Sequence, residues 1–215
     1  YSLMKKIVVL ISGYGANLQA IIDACESRYI DGEVVGVFSN QADAFGLQRA
    51  KSAGIFHRTF LRSDYADNLA MDRHIADEID NLGADLIVLA GYMKILTAEF
   101  TQRFAGKILN IHPSLLPKYP GLHTYQRAIE ASETEHGMTI HFVNEEVDGG
   151  AIVLQAKVPI FAEDDIADIE QRVKEQEIRF YPLAIKWFVE ERLTFTDNHA
   201  YLDGNRLPPQ GYAID

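Results

Sequence analysis

Lys6-Ile7-Val8-Val9-Leu10-Ile11-Ser12-Gly13-Tyr14-Gly15-Ala16-Asn17 begins as an apolar run and ends in a glycine-rich turn. A helical pattern continues over 17–28, with Leu18, Ile21, Ile22 and Cys25 spaced to share one face. Strand, glycine turn and helix in this order form the first half of a β-α unit. The same grammar repeats outward. Residues 33–39 read as a strand, 42–53 as a helix stopped by Gly54, and 56–61 as a weaker strand. A long helix over 65–82 follows, closed by Gly83. Residues 85–90 are apolar on both faces, which marks a central parallel strand covered on both sides. A short helix over 97–104 with Thr97 as N-cap and a buried strand over 107–111 bring the β-α alternation to its fifth strand. The order calls for a doubly wound, mostly parallel α/β sheet of Rossmann-like type.

Beyond 110 the pattern changes. Residues 110–121 are a proline-rich loop and 125–132 a helix. Strands over 138–143 and 151–160 are separated by a turn at Asp148-Gly149-Gly150, so antiparallel pairing is expected. An amphipathic helix spans 164–190. The tail from 194 carries Asp203-Gly204 and Pro208-Pro209, the signals of a short hairpin and an extended end. We expect one domain over 1–215, with a mononucleotide-binding half at 4–111 and a second half at 112–215 that ends in an antiparallel extension. Tyr1-Ser2-Leu3 precede Met4, a natural start residue, and read as an addition ahead of it.

The 215 residues are 47% hydrophobic and 24% charged, enough apolar material for a packed core. A net charge of -11 disfavours nucleic acid and anionic membranes as partners. It leaves room for a small anion held locally by backbone N–H groups. Cys25 is the single cysteine, so no intrachain disulfide forms, and its helical pattern makes it a small buried hydrophobe. No apolar run approaches the roughly 18–20 residues of a membrane span, and no signal peptide is read before the first strand. A cytoplasmic protein is expected, as monomer or homodimer.

Two loops carry the chemistry. The glycine turn brings the backbone close to a ligand and places an anion at a helix N-terminus. The third glycine of a dinucleotide fingerprint is absent, and Ser39-Asn40 supply no ribose-binding acid, so a mononucleotide or sugar-phosphate site is favoured over NAD or a plain turn. The second loop, Asn110-Ile111-His112-Pro113-Ser114-Leu115-Leu116-Pro117, leaves the C-terminal end of a central strand, where open α/β sheets bind ligands. Strand alternation points Asn110 and His112 to one side. An amide and an imidazole there can polarise a carbonyl and hold the oxyanion formed on attack. A hydrogen-bonded pair at a strand end is the plainer alternative. Asp148 is either turn chemistry or a carboxylate that orients His112 and favours its imidazolium form. His141, inside a strand, reads as packed. His57, His74, His136 and His199 read as loop or helix-face residues. No cluster has metal-ligand spacing, so no metal is expected, and Ser12 and Ser114 lack a nucleophile elbow.

Ile11-Ser12-Gly13-Tyr14-Gly15-Ala16-Asn17-Leu18, Asn110 to Pro117 and Asp148-Gly149-Gly150 together resemble the folate-dependent formyltransferases, and among them the glycinamide ribonucleotide transformylases. Val37-Phe38-Ser39-Asn40, Leu202-Asp203-Gly204 and Gln210-Gly211-Tyr212 extend the resemblance to both ends. It implies direct formyl transfer from 10-formyltetrahydrofolate, a co-substrate, to the amine of a phosphoribosyl glycinamide. It also implies Asn110, His112 and Asp148 as catalytic residues, with His141 in support. Gly15, Ala16 and Asn17 then fall on the substrate phosphate and Glu177 on the ribose; on pattern alone Glu177 is a solvated helical residue. Met93, Lys94, Ile95 and Leu96 fall on the folate pocket wall, together with Asn110, Asn144, Glu145, Glu146, Val147 and Asp148. Tyr14 stands where many relatives carry Asn, Ala16 where many carry Ser, and Asn68 where some carry Arg. The isomer of Leu116–Pro117 stays open, with the resemblance raising cis above its base rate of about 5–6%. The rivals are a methionyl-tRNA formyltransferase, a formyltetrahydrofolate hydrolase and a non-catalytic nucleotide sensor. The first two are expected to carry a further domain and the third to dispense with the Asn-His-Asp trio.

Overall fold

A computed structural model of the protein describes residues 4–214. The three residues before Met4, read above as an addition, and residue 215 lie outside the described residues. The chain divides into two compact units, one ending at Asn110 and the other starting at Ile111.

The first unit holds β1 (Lys5–Ile11), α1 (Ala16–Glu26), β2 (Gly32–Ser39), α2 (Phe45–Ser52), β3 (His57–Thr59), α3 (Asn68–Asn81), β4 (Leu86–Leu89), α4 (Ala98–Arg103) and most of β5 (Ile108–His112). β1 pairs in parallel with β2 on one side and β4 on the other; β2 pairs with β3 and β4 with β5, also in parallel. Ile7 to Ile11 are wholly buried and Leu86 to Leu89 nearly so, because helices cover both faces of a parallel sheet. Burying each such side chain contributes about 1.5–3 kcal/mol. Strand order reverses between β1 and β4, and the loops that leave these two strands flank that switch point. Such a crevice, at the carboxyl ends of the strands, is where open α/β sheets take ligands.

The long helix expected over 65–82 begins later. A 3₁₀ turn at Arg62–Asp64 comes first, and Asp67 then caps α3 by accepting from the Ala70 N–H at 2.8 Å. Thr97 caps α4 as expected, accepting from the Phe100 N–H.

The second unit contains α5 (Thr124–Glu130), β6 (Glu135–Phe142), β7 (Ile152–Pro159) and α6 (Ile166–Val189). β6 and β7 pair antiparallel, the arrangement expected from the Asp-Gly-Gly turn. The full strand order is β3-β2-β1-β4-β5-β6-β7, a mostly parallel seven-stranded sheet. α6 packs on β6 and β7 and starts with a capping box between Asp165 and Asp168. Pro182 lies inside α6 and is buried.

The tail is a three-stranded antiparallel sheet, β8 (Leu193–Thr196), β9 (His199–Leu202) and β10 (Asn205–Arg206). Its two turns are Asp197-Asn198 and Asp203-Gly204, each with positive φ at both residues. The single hairpin expected here is therefore a meander. Asp and Asn tolerate the left-handed region well enough to supply the Asp197-Asn198 turn without glycine.

Candidate active site

In the first unit the chain turns sharply after β1. Gly15 has φ 82 and caps α1 without a side-chain hydrogen bond. A Cβ there would lie 2.9 Å from the Gly46 Cα, so glycine allows both the turn and the approach of α2. The Gly46 N–H donates to the Gly13 carbonyl at 3.0 Å. Tyr14 stacks on Phe45 with ring centroids 5.3 Å apart, and the Arg49 guanidinium lies over both rings. Arg49 Nε also donates to the Tyr14 carbonyl at 2.9 Å. The first turn of α1, starting at Ala16 and Asn17, holds no acidic side chain, so its dipole favours an anion.

The loop after β4 places the four residues expected on the folate wall differently. Met93 and Ile95 are 67% and 71% exposed, whereas Lys94 turns inward onto the buried Asp72 and Leu96 is half-buried. Asn68, at the start of α3, is exposed. Ser12 Oγ accepts from the Met93 N–H at 2.8 Å and donates to Asn40 Oδ1, which ties this loop to the glycine turn.

Asn110 closes the first unit, half-buried on β5 two positions before His112. Strand alternation gives the two residues one face.

In the second unit His112 is 6% exposed. Its Nε2 lies 2.8 Å from the Tyr119 carbonyl, and its Nδ1 lies 3.5 Å from Asp148 Oδ2. Carbonyl and carboxylate oxygens only accept, so Nε2 carries a proton toward Tyr119, and only the imidazolium can donate to both. Asp148 has φ 54, a left-handed conformation that Asp tolerates. Its Oδ2 also accepts from the Gly121 N–H at 2.8 Å, and its Oδ1 lies 4.0 Å from His141 Nε2. Gly150 is required beside it, because a Cβ there would meet the Phe142 carbonyl oxygen at 1.6 Å.

His141 is buried. Its Nδ1 faces the Phe142 carbonyl at 2.9 Å, and burial pushes its pKa below the usual histidine value. The neutral ring thus packs against the carboxylate from the far side. The loop below His112 is fixed by buried hydroxyls. Thr139 Oγ1 donates to the Ser114 carbonyl and accepts from the Leu116 N–H, and Gln155 donates to Leu116 O and Thr139 Oγ1. The Leu116–Pro117 bond is cis.

Asn144 to Val147 form the turn before Asp148. Asn144 Oδ1 accepts from the Glu146 N–H at 2.9 Å, while Glu145, Glu146 and Val147 are exposed. Glu177 is not a solvated helical residue: it is 7% exposed on α6. Burial raises the phenol pKa values of Tyr125 and Tyr181, with the Glu177 charge as the next cause. Cys25 is half-buried, and burial pushes its thiol pKa up to about 11, which keeps it protonated and inert.

The formyl transferase family pattern matches residues 5–185. The chain belongs to the formyl transferase family. A phosphoribosylglycinamide formyltransferase of Haemophilus influenzae is 67% identical over 210 residues, covering 98% of this chain and 99% of its own length. That of Escherichia coli is 57% identical over 97% of this chain and 99% of its own length. A solved phosphoribosylglycinamide formyltransferase structure from Coxiella burnetii superposes with a TM-score of 0.95 at 40% identity, covering 99% of this chain and all of the other. The chain is thus an enzyme of formyl transfer, and formyl-folate is the co-substrate of its family. Among the described residues no helix is long and apolar enough to cross a membrane.

Several groups near these formyl transferase motifs were not legible in the sequence. The Tyr119 carbonyl and Gly121 N–H are backbone atoms, which no side-chain pattern announces. His136 is a buried residue of β6, not a loop or helix-face residue. Asp72 did leave a signal: it interrupts the apolar stripe of Met71, Ile75, Ala76 and Ile79, all buried on α3.

Proposed function

We propose that the protein moves the formyl group of 10-formyltetrahydrofolate onto the amine of 5-phosphoribosylglycinamide, within purine biosynthesis in the cytoplasm. The products are N-formylglycinamide ribonucleotide and tetrahydrofolate. The observation that carries the reading is the pairing of His112 with Asp148 in a chain matched end to end by phosphoribosylglycinamide formyltransferases.

The amine attacks the formyl carbon and a new C–N bond forms. The oxyanion is met by the Asn110 amide and by the His112 Nε2–H, which leaves the Tyr119 carbonyl for it. Asp148 holds the imidazolium and fixes the orientation of its ring. As the bond to the folate nitrogen breaks, the proton lost by the amine is matched by one gained at that nitrogen, through His112 or a held water. The backbone at Gly15, Ala16 and Asn17 holds the phosphate, and Glu177 accepts from a ribose hydroxyl. Met93 to Leu96 and Asn144 to Val147 frame the folate. No metal is required, because the folate carries an already activated formyl group and the protein supplies position and electrostatics.

The test follows tetrahydrofolate release spectrophotometrically with both substrates present. Turnover that needs both is expected. Folate release without the amine would move the reading to a hydrolase, and tight binding of both ligands without turnover to a sensor.

A further inference from the structure

Lys94 and Asp72 form an ion pair that the surface does not explain. The Lys94 side chain is 10% exposed and that of Asp72 is 1% exposed. Burying two charges is costly unless they are paired and fully hydrogen-bonded, and replacing such a pair with apolar residues is often neutral or stabilising. Fold stability alone is therefore a weak reason for it.

The placement of the pair gives a better one. Asp72 Oδ1 receives the Lys94 ammonium, and Asp72 Oδ2 receives the Thr97 N–H at 2.8 Å. One carboxylate on rigid α3 thus holds the loop at two points three residues apart. The Met93 N–H is held by Ser12 as a third tether. Between the tethers the side chains alternate. Tyr92 and Lys94 go inward, and the Tyr92 hydroxyl is buried with no hydrogen-bond partner among the described residues. Met93 and Ile95 go outward and stand mostly exposed. Two neighbouring large apolar side chains held out from a pinned loop, beside the switch point of the sheet, make a surface for a flat aromatic ligand.

We propose that the Lys94 side chain is a positioning group: drawn down onto buried Asp72, it holds the 91–97 loop so that Met93 and Ile95 form the apolar floor for the folate ring system, and its ammonium does not itself contact the ligand. This rests on the folate assignment above and assigns Lys94 a part distinct from that of its neighbours.

The test measures steady-state kinetics of the full chain for Lys94→Met, Lys94→Arg and Asp72→Asn, each with two formyl donors. One donor carries the anionic glutamate tail of folate and the other ends at the benzoate. Lys94→Met and Asp72→Asn are expected to raise the donor KM at least tenfold. The KM for the ribonucleotide and kcat should stay within about twofold, and Lys94→Arg should restore the donor KM. The rise should be the same for both donors. A rise confined to the glutamate-bearing donor would overturn the proposal, because Lys94 would then touch the tail directly. An unchanged KM in Lys94→Met, or an equal loss in every parameter, would overturn it as well.

Amide hydrogen exchange on the unliganded protein gives a readout independent of turnover. Lys94→Met should speed exchange at Met93 and Thr97, and unaltered protection there would reject the latch even if the wild-type protein proved inactive on these substrates. Wild-type inactivity would count against the functional reading alone. If Asp72→Asn fails to fold, the contrast between Lys94→Met and Lys94→Arg still decides.

Discussion

His112 is flanked by an acceptor at each ring nitrogen, the Tyr119 carbonyl at 2.8 Å and the Asp148 carboxylate at 3.5 Å. That arrangement gives different expectations for the two residues. His112→Ala removes the proposed oxyanion donor and is expected to lower kcat by about 10²–10³, measured with both substrates saturating. Asp148→Asn keeps an oxygen for the Gly121 N–H, so the loop should stay in place and the melting temperature should hold. It removes the charge that supports the imidazolium, and a loss of about 10² or more in kcat is expected. Normal turnover in both variants would remove the trio from the mechanism. Glu177→Gln, at a buried carboxylate, is expected to raise the ribonucleotide KM about tenfold or more and to leave the donor KM unchanged; the opposite split would reassign Glu177 to the folate. At this scale the sequence exposed residue types and missed partners. Asn110 and His112 were legible because two residues on a strand end share a face. Glu177 read as solvated from its residue type, although Val173, Phe180, Tyr181 and Ala184 share its face of α6 and place it on the buried stripe. The inward turn of Lys94 was hidden because its counter-charge lies 22 residues away on α3.

The elements were legible where one physical signal dominated. Runs apolar on both faces marked β1 and β4, and glycine after an apolar run marked the turn into α1. Boundaries moved where a cap decided them: Asp67, not Tyr65, starts α3. The meander in the tail was missed because Asp197-Asn198 lacks the glycine by which such turns are usually read. The β6–β7 turn shows how strongly local sterics can bind an element to the site. Gly150 lies against the Phe142 carbonyl, and Gly137 lies against the Ala156 carbonyl across the same pair of strands, where a Cβ would come to 2.0 Å. Backbone cannot yield as a flexible side chain can. Gly150→Ala is expected to cost about 1–3 kcal/mol or more in urea denaturation, in line with overpacking, and to lower activity with it because Asp148 moves. An unchanged midpoint would mean that the turn relaxes freely and does not set the position of the carboxylate.

Across the whole molecule the alternation of five strands with four helices made the parallel part of the sheet legible, while the antiparallel additions rested on weaker turn signals. Charge was legible too, but its balance with pH depends on burial, which sequence does not report. His136 and His141 both stand on β6 and are each 2% exposed. Burial pushes both pKa values below the usual range. The Pro113 carbonyl and Glu133 pull His136 back up, and the Phe142 carbonyl and Asp148 do the same for His141, while His112 pushes both further down. In the unfolded chain each takes up its proton near pH 6.5. Above that value both states are neutral and the contribution to stability is complete. As pH falls through 6.5 the unfolded chain binds protons that the folded chain refuses, so stability falls at up to about 1.4 kcal/mol per pH unit for each ring. The net charge of -11 works in the opposite sense, because acid relieves self-repulsion. A comparison of variant with wild type cancels that contribution. Urea denaturation at a series of pH values from about 7.5 to 5.5, above the carboxylate range, should give a shallower loss of stability for His136→Gln than for the wild-type protein. Parallel slopes would show that His136 takes up its proton equally in both states, and that its burial on β6 carries no electrostatic cost.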